Sequence, residues 1–195
     1  IPPEEDILGA LRWVHDPGYL ERVRAASASA PTTLDSPDCA VSAGTFAAAV
    51  AASGLALQAA LDLVNGRLRR GFLAVRPPSS HAERARARGF CFFNAVALAA
   101  EVVARAWGER VLIVDFDVPH GSGTQSLFWN RGDVGYLSVH RHPHFPGSGS
   151  GDEVGEGPGS GATRNLPLAA GAGDDLVVSA LEVGLEEMVS RLRPA

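Results

Sequence analysis

The amino-acid sequence predicts an α/β protein in which helices flank a parallel β-sheet, and two features of its pattern carry this prediction. The runs "RVLIVDFD" and "VGYLSVH" are continuous apolar stretches, as expected for parallel strands covered on both faces. Helix-sized segments lie before, between and after these runs, and no repeat of fixed period is present. Because 46% of the 195 residues are hydrophobic, we expect residues 1–195 to form one domain with a sizeable core.

The first long helix is predicted in an alanine-rich segment in the first third of the chain. Ser42 and Thr45 can cap its first turn, and the Asn65–Gly66 pair can end it. The apolar run "GFLAV" at 71–75 follows and is closed by two prolines. This run predicts a short strand between the first helix and the next.

A second helix is predicted from about Asn94 to Trp107, ended by Gly108. The strand at "RVLIVDFD" comes next, and a helix-sized interval separates it from the strand at "VGYLSVH". Glycine and proline dominate residues 147–173, which indicates an irregular segment around one short strand, "TRNLPL". The predicted topology is therefore a layered α/β sheet.

The last helix is predicted at Asp174–Leu192, before Pro194. In an alternating sheet a strand should follow this helix, so we expect the fold to continue beyond Ala195. The apolar stripe of the helix consists of Leu181, Leu185, Met188 and Leu192.

Composition and charge exclude several classes of partner. The net charge is −5 with both signs scattered along the chain, so no basic stripe is present and we expect no direct contact with nucleic acid. We expect no stretch to reach the length of a membrane span and no signal peptide to precede the domain, which indicates a cytoplasmic protein. Cys39 and Cys91 lack a Cys-x-x-Cys partner and are expected to be buried reduced thiols.

Two aspartates at the end of the first central strand form the strongest chemical signal. Asp115 and Asp117 lie two residues apart in an extended chain, so their side chains point the same way. Adjacent carboxylates repel each other unless a cation or a donor compensates them, which predicts a bound metal or a histidine partner. The alternative is that the pair caps the following helix.

Histidines provide two further candidates. His81 follows a rigid double proline and two serines, so we expect it to be fixed in position, and an imidazole suits the role of a general acid or base. The alternative is that His81 has a purely structural role. His140, His142 and His144 alternate after the second strand, but Pro143 interrupts them, and we do not expect these histidines to form a metal site.

Three stretches together resemble the zinc-dependent histone deacetylase family, which includes bacterial acetylpolyamine amidohydrolases and acetoin-utilisation proteins. They are "RPPSSHAERARARGFCFFNAVALAA", "RVLIVDFDVPHGSGTQSLF" and "HFPGSGSGDEVGEGPGSGATRNLPLAAGAGDD", and "VHDPGYLERVR" precedes them in the family's order. The resemblance implies a three-layer, arginase-like α/β fold and hydrolysis of an acetyl-lysine or related amide by a zinc-bound water in a narrow tunnel. It also implies that residues 1–195 are a partial domain without its N-terminal strand and C-terminal part.

The resemblance assigns substrate-tunnel roles to four residues. Phe90 and Phe145 match the two aromatic walls of the tunnel, and Gly89 matches the residue beside which the substrate passes. Asp38 matches, more loosely, the rim aspartate that binds the substrate backbone. The ligand implied is an acylated lysine in a peptide, or a polyamine-like small molecule, and an oligomer is compatible with the sequence.

The metal and catalytic positions of the family are only partly present. Asp117 matches the first zinc ligand, and Asp115 with the Ser138 hydroxyl matches a structural potassium site. His81 matches the second member of the family's catalytic histidine pair, whereas Ser80 stands at the first.

The departures from the family pattern predict a loss of deacetylase activity. Pro119 stands where the family pattern Asp-x-His places a histidine zinc ligand, and its side chain cannot bind zinc. His120 cannot replace it, because neighbouring residues of an extended chain face opposite ways. The third ligand, an aspartate, and the tyrosine that polarises the carbonyl would lie beyond Ala195.

Three hypotheses follow from the sequence. The first is a deacetylase-fold protein that is inactive or severely impaired and still binds an acylated partner. The second is an active metal-dependent deacylase with a rebuilt metal site. The third is a dinucleotide site at "HGSGTQS", which distantly resembles a G-x-G-x-x-G turn but has Ser126 in place of the third glycine.

Overall fold

The computed structural model describes residues 1–194 and divides into two compact units, Ile1–Trp107 and Gly108–Ala195. The first unit is mainly helical, and a two-stranded antiparallel hairpin joins its second and third helices. Its elements are α1 (Glu4–Leu11), α2 (Pro17–Ala28), β1 (Thr32–Leu34), β2 (Ser36–Val41), α3 (Thr45–Val64) and α4 (Ala95–Trp107). The sequence pattern predicted α3 and α4 but indicated neither the hairpin nor the first two helices.

Helices α3 and α4 form the core of this unit by packing against each other, and α1 also contacts α3. Small residues on α3 permit this approach, since a Cβ atom on Gly54 would lie 2.5 Å from Cδ1 of Ile7. At 20 residues, α3 is long and apolar enough to cross a membrane by length and composition, so the expectation that no stretch reaches this length was wrong. The packing of α3 against other helices accounts for its apolar character.

Two local predictions in the first unit were wrong. Residues 71–75 form no strand, and Phe72 is 91% exposed. An apolar run becomes a strand only where a neighbouring strand accepts its backbone hydrogen bonds, and within residues 1–194 nothing pairs with this run. Thr45 does not cap α3, because Gly44 is the capping residue and Thr45 Oγ1 accepts the backbone N–H of Ser42 at 2.8 Å.

The second unit contains the predicted parallel sheet. Its strands lie in the order β3, β4, β5 and all pairs are parallel, with Asp115 of the first strand beside Ser138 of the second. The elements are β3 (Val111–Asp115), α5 (Ser122–Phe128), β4 (Val134–Arg141), β5 (Thr163–Leu168) and α6 (Asp174–Leu192). Both central strands, the short strand and the last helix were predicted correctly.

The sheet lies between two helical layers because β4 is covered on both faces. On one face α6 packs closely, and a Cβ atom on Gly184 would lie 2.6 Å from Cδ1 of Leu137. On the other face Tyr136 donates a hydrogen bond to the carbonyl of Gly121, directly before α5, at 3.2 Å. Residues 134–140 of β4 are consequently all buried.

Only part of the apolar stripe predicted for α6 is buried. Met188 and Leu192 are buried as predicted, but Leu181 is half-buried and Leu185 is 37% exposed. The residue of α6 that faces the sheet here is Gly184 and not a large apolar residue. Because glycine has no side chain, the helix axis can approach β4 closely.

Candidate functional site

The predicted residues of the first unit meet in the loop between α3 and α4. Gly89 and Phe90 both have left-handed backbone conformations, with φ angles of +57° and +65°. A Cβ atom on Gly89 would lie 2.5 Å from Cδ2 of His81, so only glycine permits this approach to the imidazole. A left-handed phenylalanine is uncommon and is typical of functional sites, and this one holds its ring 64% exposed.

Asn94 anchors the loop that carries His81. Its Nδ2 donates to the carbonyl of Ala82 at 3.1 Å, and its Oδ1 accepts the N–H of Ala97 at 3.0 Å in the first turn of α4. The backbone N–H of Asn94 donates to Nε2 of His15 at 2.9 Å. Burial lowers the pKa of His15 to about 4, so this imidazole is neutral and able to accept the bond.

Asp38, inside the hairpin strand β2, is joined to the same loop. Its Oδ2 accepts the backbone N–H of Gly89 at 3.0 Å. Burial acts to raise the pKa of Asp38, but hydrogen bonds from Ser36 and the Gly89 N–H outweigh it, and the pKa is lowered. Asp38 is therefore a carboxylate at neutral pH and lies beside the loop of His81.

A groove of about 680 Å³ passes between Asp38 and Phe90. Pro77 and Pro78 form an apolar wall of the groove, and Arg76 also lines it. The remaining lining is mostly small residues, which leaves room for a ligand of the usual size for protein pockets.

Replacing Gly89 with alanine is expected to lower the free energy of unfolding by about 2 kcal/mol, because it adds left-handed strain and a contact with the His81 ring. The measurement is urea denaturation followed by circular dichroism. Gly66 is the matched control, since its φ is +69° but nothing lies within 4 Å of where its Cβ atom would be. Equal losses in Gly89→Ala and Gly66→Ala would show that the His81 contact contributes nothing.

The acidic residues of the second unit lie at the carboxyl end of β3. Oδ2 of Asp115 accepts the Tyr136 hydroxyl at 3.0 Å, and its Oδ1 accepts the backbone N–H of Asp117 at 3.1 Å. Burial and then the charge of Asp115 raise the pKa of Tyr136 well above its usual value, so the phenol remains a donor. Asp115 and Ser138 face one another on neighbouring strands, as a shared oxygen site requires.

Asp117 and Pro119 follow the strand in a segment that bends at Val118 and Pro119. Asp117 is exposed and Pro119 is half-buried. Within residues 1–194 no group of three histidine, cysteine or acidic side chains is close enough to hold a metal ion. In this turn Asp117 offers a carboxylate and Pro119 offers no ligand, whereas a catalytic zinc requires three protein ligands.

His120 is buried in a separate polar network. Its Nδ1 lies 2.9 Å from Oγ of Ser148, and its Nε2 lies 3.0 Å from Oε1 of Gln125. Both ring nitrogens are thus engaged, and the residue is fully buried.

Glu153 is the centre of the network and was missed by the sequence reasoning. Its Oε1 accepts the backbone N–H groups of Gly149 and Ser150 at 2.9 and 3.1 Å, and its Oε2 accepts Gln125 Nε2 at 2.5 Å. Burial acts to raise its pKa, but these hydrogen bonds outweigh it and the pKa is lowered. The carboxylate therefore holds the turn that follows Phe145.

The alternating histidines do not all follow the second strand, as the sequence indicated, because His140 lies within it. His140 belongs to β4 and is buried, with Nδ1 2.8 Å from Ser138 Oγ and Nε2 2.8 Å from the Gly149 carbonyl oxygen. Its ring centroid is 4.6 Å from that of His120. His144 is exposed, and Phe145 after it is half-buried.

The structure thus brings the predicted residues together in two sets. His81, Gly89, Phe90 and Asp38 share one loop region of the first unit. Asp115, Asp117 and Ser138 share the carboxyl end of the sheet in the second unit, where parallel α/β sheets carry their ligands. Buried Gln125 and Asn165, which donates from Nδ2 to Gln125 Oε1 at 2.7 Å, were not predicted.

A parallel sheet between two helical layers, with Asp115 at the end of its first strand and Asp117 two residues beyond, defines a three-layer α/β fold. The family model of the histone deacetylase domain matches residues 3–195. The chain belongs to this family.

Similar proteins agree with this assignment. A probable deacetylase of Archaeoglobus fulgidus is 36% identical over 151 residues, which are 77% of this chain and 42% of that protein. A histone deacetylase-like amidohydrolase of Pseudomonas aeruginosa is 36% identical over 197 residues, covering 99% of this chain and 50% of that protein. The chain therefore spans half or less of the length of these two relatives.

Two crystal structures have the same fold. The HDA15 HD domain superposes with a TM-score of 0.90 at 36% identity, over 95% of this chain and 54% of that one. An acetylpolyamine aminohydrolase from Burkholderia pseudomallei superposes with a TM-score of 0.86 at 29% identity, over 96% of this chain and 64% of that one.

Proposed function

We propose that this chain binds an acylated lysine or a polyamine-like acylated amine and hydrolyses it very poorly or not at all. The observation that carries the proposal is Pro119, which stands where the family resemblance places a histidine zinc ligand. The adjacent His120 is buried with both ring nitrogens engaged, which leaves Asp117 as the one side chain of this turn that suits zinc.

The acid–base side of the site supports the same proposal. Ser80 stands where the resemblance places the first histidine of the catalytic pair, and a hydroxyl does not exchange protons near neutral pH as an imidazole does. His81 would remain as a single proton donor or acceptor. In the proposal, Phe90 contacts the acyl-amine stem, and Gly89 lets the stem pass.

Asp115 and Ser138 enter the proposal as the side chains of a structural potassium site. A carboxylate and a hydroxyl on neighbouring strands offer the oxygen ligands that hard cations prefer. Such an ion would stabilise the end of the sheet and leave the prediction for zinc unchanged.

We expect the purified chain to retain far less than one zinc per molecule after dialysis, because one carboxylate does not hold the ion. The measurement is elemental mass spectrometry of the wild type, Asp117→Ala and His81→Ala, with circular dichroism to show that each is folded. Near one zinc per chain, lost in Asp117→Ala and retained in His81→Ala, would instead support a deacylase with a rebuilt metal site.

Binding without turnover is the second part of the same test. An acetyl-lysine peptide is titrated into the chain by calorimetry, and the mixture is then assayed for released acetate. The proposal requires measurable binding with the peptide recovered intact. Release of acetate at a rate that depends on Asp117 would contradict it.

A further inference from the structure

The groove beside Phe90 carries one charge of each sign. Asp38 is a carboxylate at neutral pH, for the reasons given above, and Arg76 lines the groove as a guanidinium. Among residues 1–194 no hydrogen bond or ion pair is formed by the Arg76 side chain, whereas Asp38 is bonded to Gly89. The guanidinium is therefore available to a ligand.

This pair of charges distinguishes between the two ligand classes that the proposed function allows. An acylated polyamine carries further positive charges along its chain, which Asp38 would attract but Arg76 would repel. A peptide presents backbone N–H groups to Asp38 and, in addition, side chains that reach Arg76. The groove therefore suits a peptide better than a polycation.

We propose that the groove binds an acylated lysine within a peptide segment that carries an acidic side chain next to the acylated residue, and that Arg76 selects this acidic side chain. This inference rests on the proposed function and specifies its ligand. Phe90 and the wall formed by Pro77 and Pro78 would contact the apolar parts of the segment. The small lining residues Ala40, Gly44 and Ala48 leave space for its backbone.

The expected size of the effect is modest because Arg76 lies in an open groove. A solvent-accessible ion pair changes an equilibrium by a factor of up to about five, and the effect weakens in high salt. Reversing the charge of residue 76 replaces attraction by repulsion, so it should invert the order of preference. Inversion is a sharper outcome than a loss of affinity, which any damage to the groove would produce.

The experiment titrates four ligands by calorimetry: acetyl-lysine peptides of equal length with a neighbouring Asp, Asn or Lys, and N-acetylspermidine. For the wild type we expect the Asp peptide to bind about threefold tighter than the Asn peptide, and the Lys peptide and N-acetylspermidine to bind more weakly still. Arg76→Glu should invert the order of the Asp and Lys peptides. Arg70→Glu, which changes the net charge equally at a residue outside the groove, should preserve it.

The outcomes separate this inference from the proposed function. If the three peptides bind equally well, or if Arg76→Glu leaves their order unchanged, the selection by Arg76 is wrong while acyl binding stands. Tighter binding of N-acetylspermidine than of every peptide would also overturn it. If no acylated ligand binds to the folded chain, the proposed function is wrong and this inference is wrong with it.

Discussion

Replacing Gly121 with alanine is expected to lower the free energy of unfolding by about 3 kcal/mol, near the upper end for overpacking a buried site. A Cβ atom there would overlap Oδ2 of Asp115 and would lie 2.7 Å from the hydroxyl of Tyr136. The φ angle of Gly121 is −75°, so the loss would arise from the close approach alone and not from backbone strain. Urea denaturation at neutral pH measures it.

The clash cannot be relieved cheaply because both neighbours are held in place. The carboxylate of Asp115 accepts bonds from Tyr136 and from the backbone of Asp117, and Tyr136 is 1% exposed. Gly9→Ala is the control, since nothing lies within 4 Å of the added carbon and helix α1 should gain about 1 kcal/mol. A small loss in Gly121→Ala would mean that Asp115 is free to turn away, and that its position at the end of β3 is not fixed.

The parts of the fold that the sequence predicted correctly are those with a strong local pattern. Strands β3 and β4 are continuous apolar runs, and α6 has both a clear start and a stop at Pro194. The run at 71–75 has the same composition as a strand, yet composition does not reveal whether a neighbouring strand is present to pair with it. The hairpin β1–β2 was missed because its residues show no clear alternation.

The candidate site was predictable where its chemistry is concentrated in a motif. Alternation predicted that Asp115 and Asp117 lie together at a strand end, and the structure has Asp115 as the last residue of β3 and Asp117 two residues beyond it. Glu153 could not be found in this way, because it lies in a segment of glycine and proline that has no period from which to infer a partner. Its role depends on the fold, which brings Gln125 of α5 within 2.5 Å of its carboxylate.

Replacing Glu153 with glutamine is expected to lower the free energy of unfolding at neutral pH by about 2 kcal/mol, because it leaves buried donors unsatisfied. The new amide can still accept the N–H groups of Gly149 and Ser150 through its oxygen. Its NH₂ group would then face the Nε2 donor of Gln125, whose own Oε1 already accepts a bond from Asn165. Urea denaturation of both proteins checks this result.

The pH dependence of the free energy of unfolding shows whether the Glu153 carboxylate is stabilised by its hydrogen bonds in the native state or only fills space. The pKa of Glu153 is lowered in the folded state relative to its ordinary value of 4.5, so its ionised form adds stability above that pH. This contribution is lost as the pH falls through the folded-state value. The gap in stability between wild type and Glu153→Gln should therefore be larger at pH 7 than below pH 4.5.

Glu156→Gln provides the control for this comparison, because Glu156 is exposed and only three residues away. It should leave both the stability and its dependence on pH nearly unchanged. If Glu153→Gln and Glu156→Gln behave alike, the bonds of Glu153 to Gly149 and Ser150 do not hold the turn.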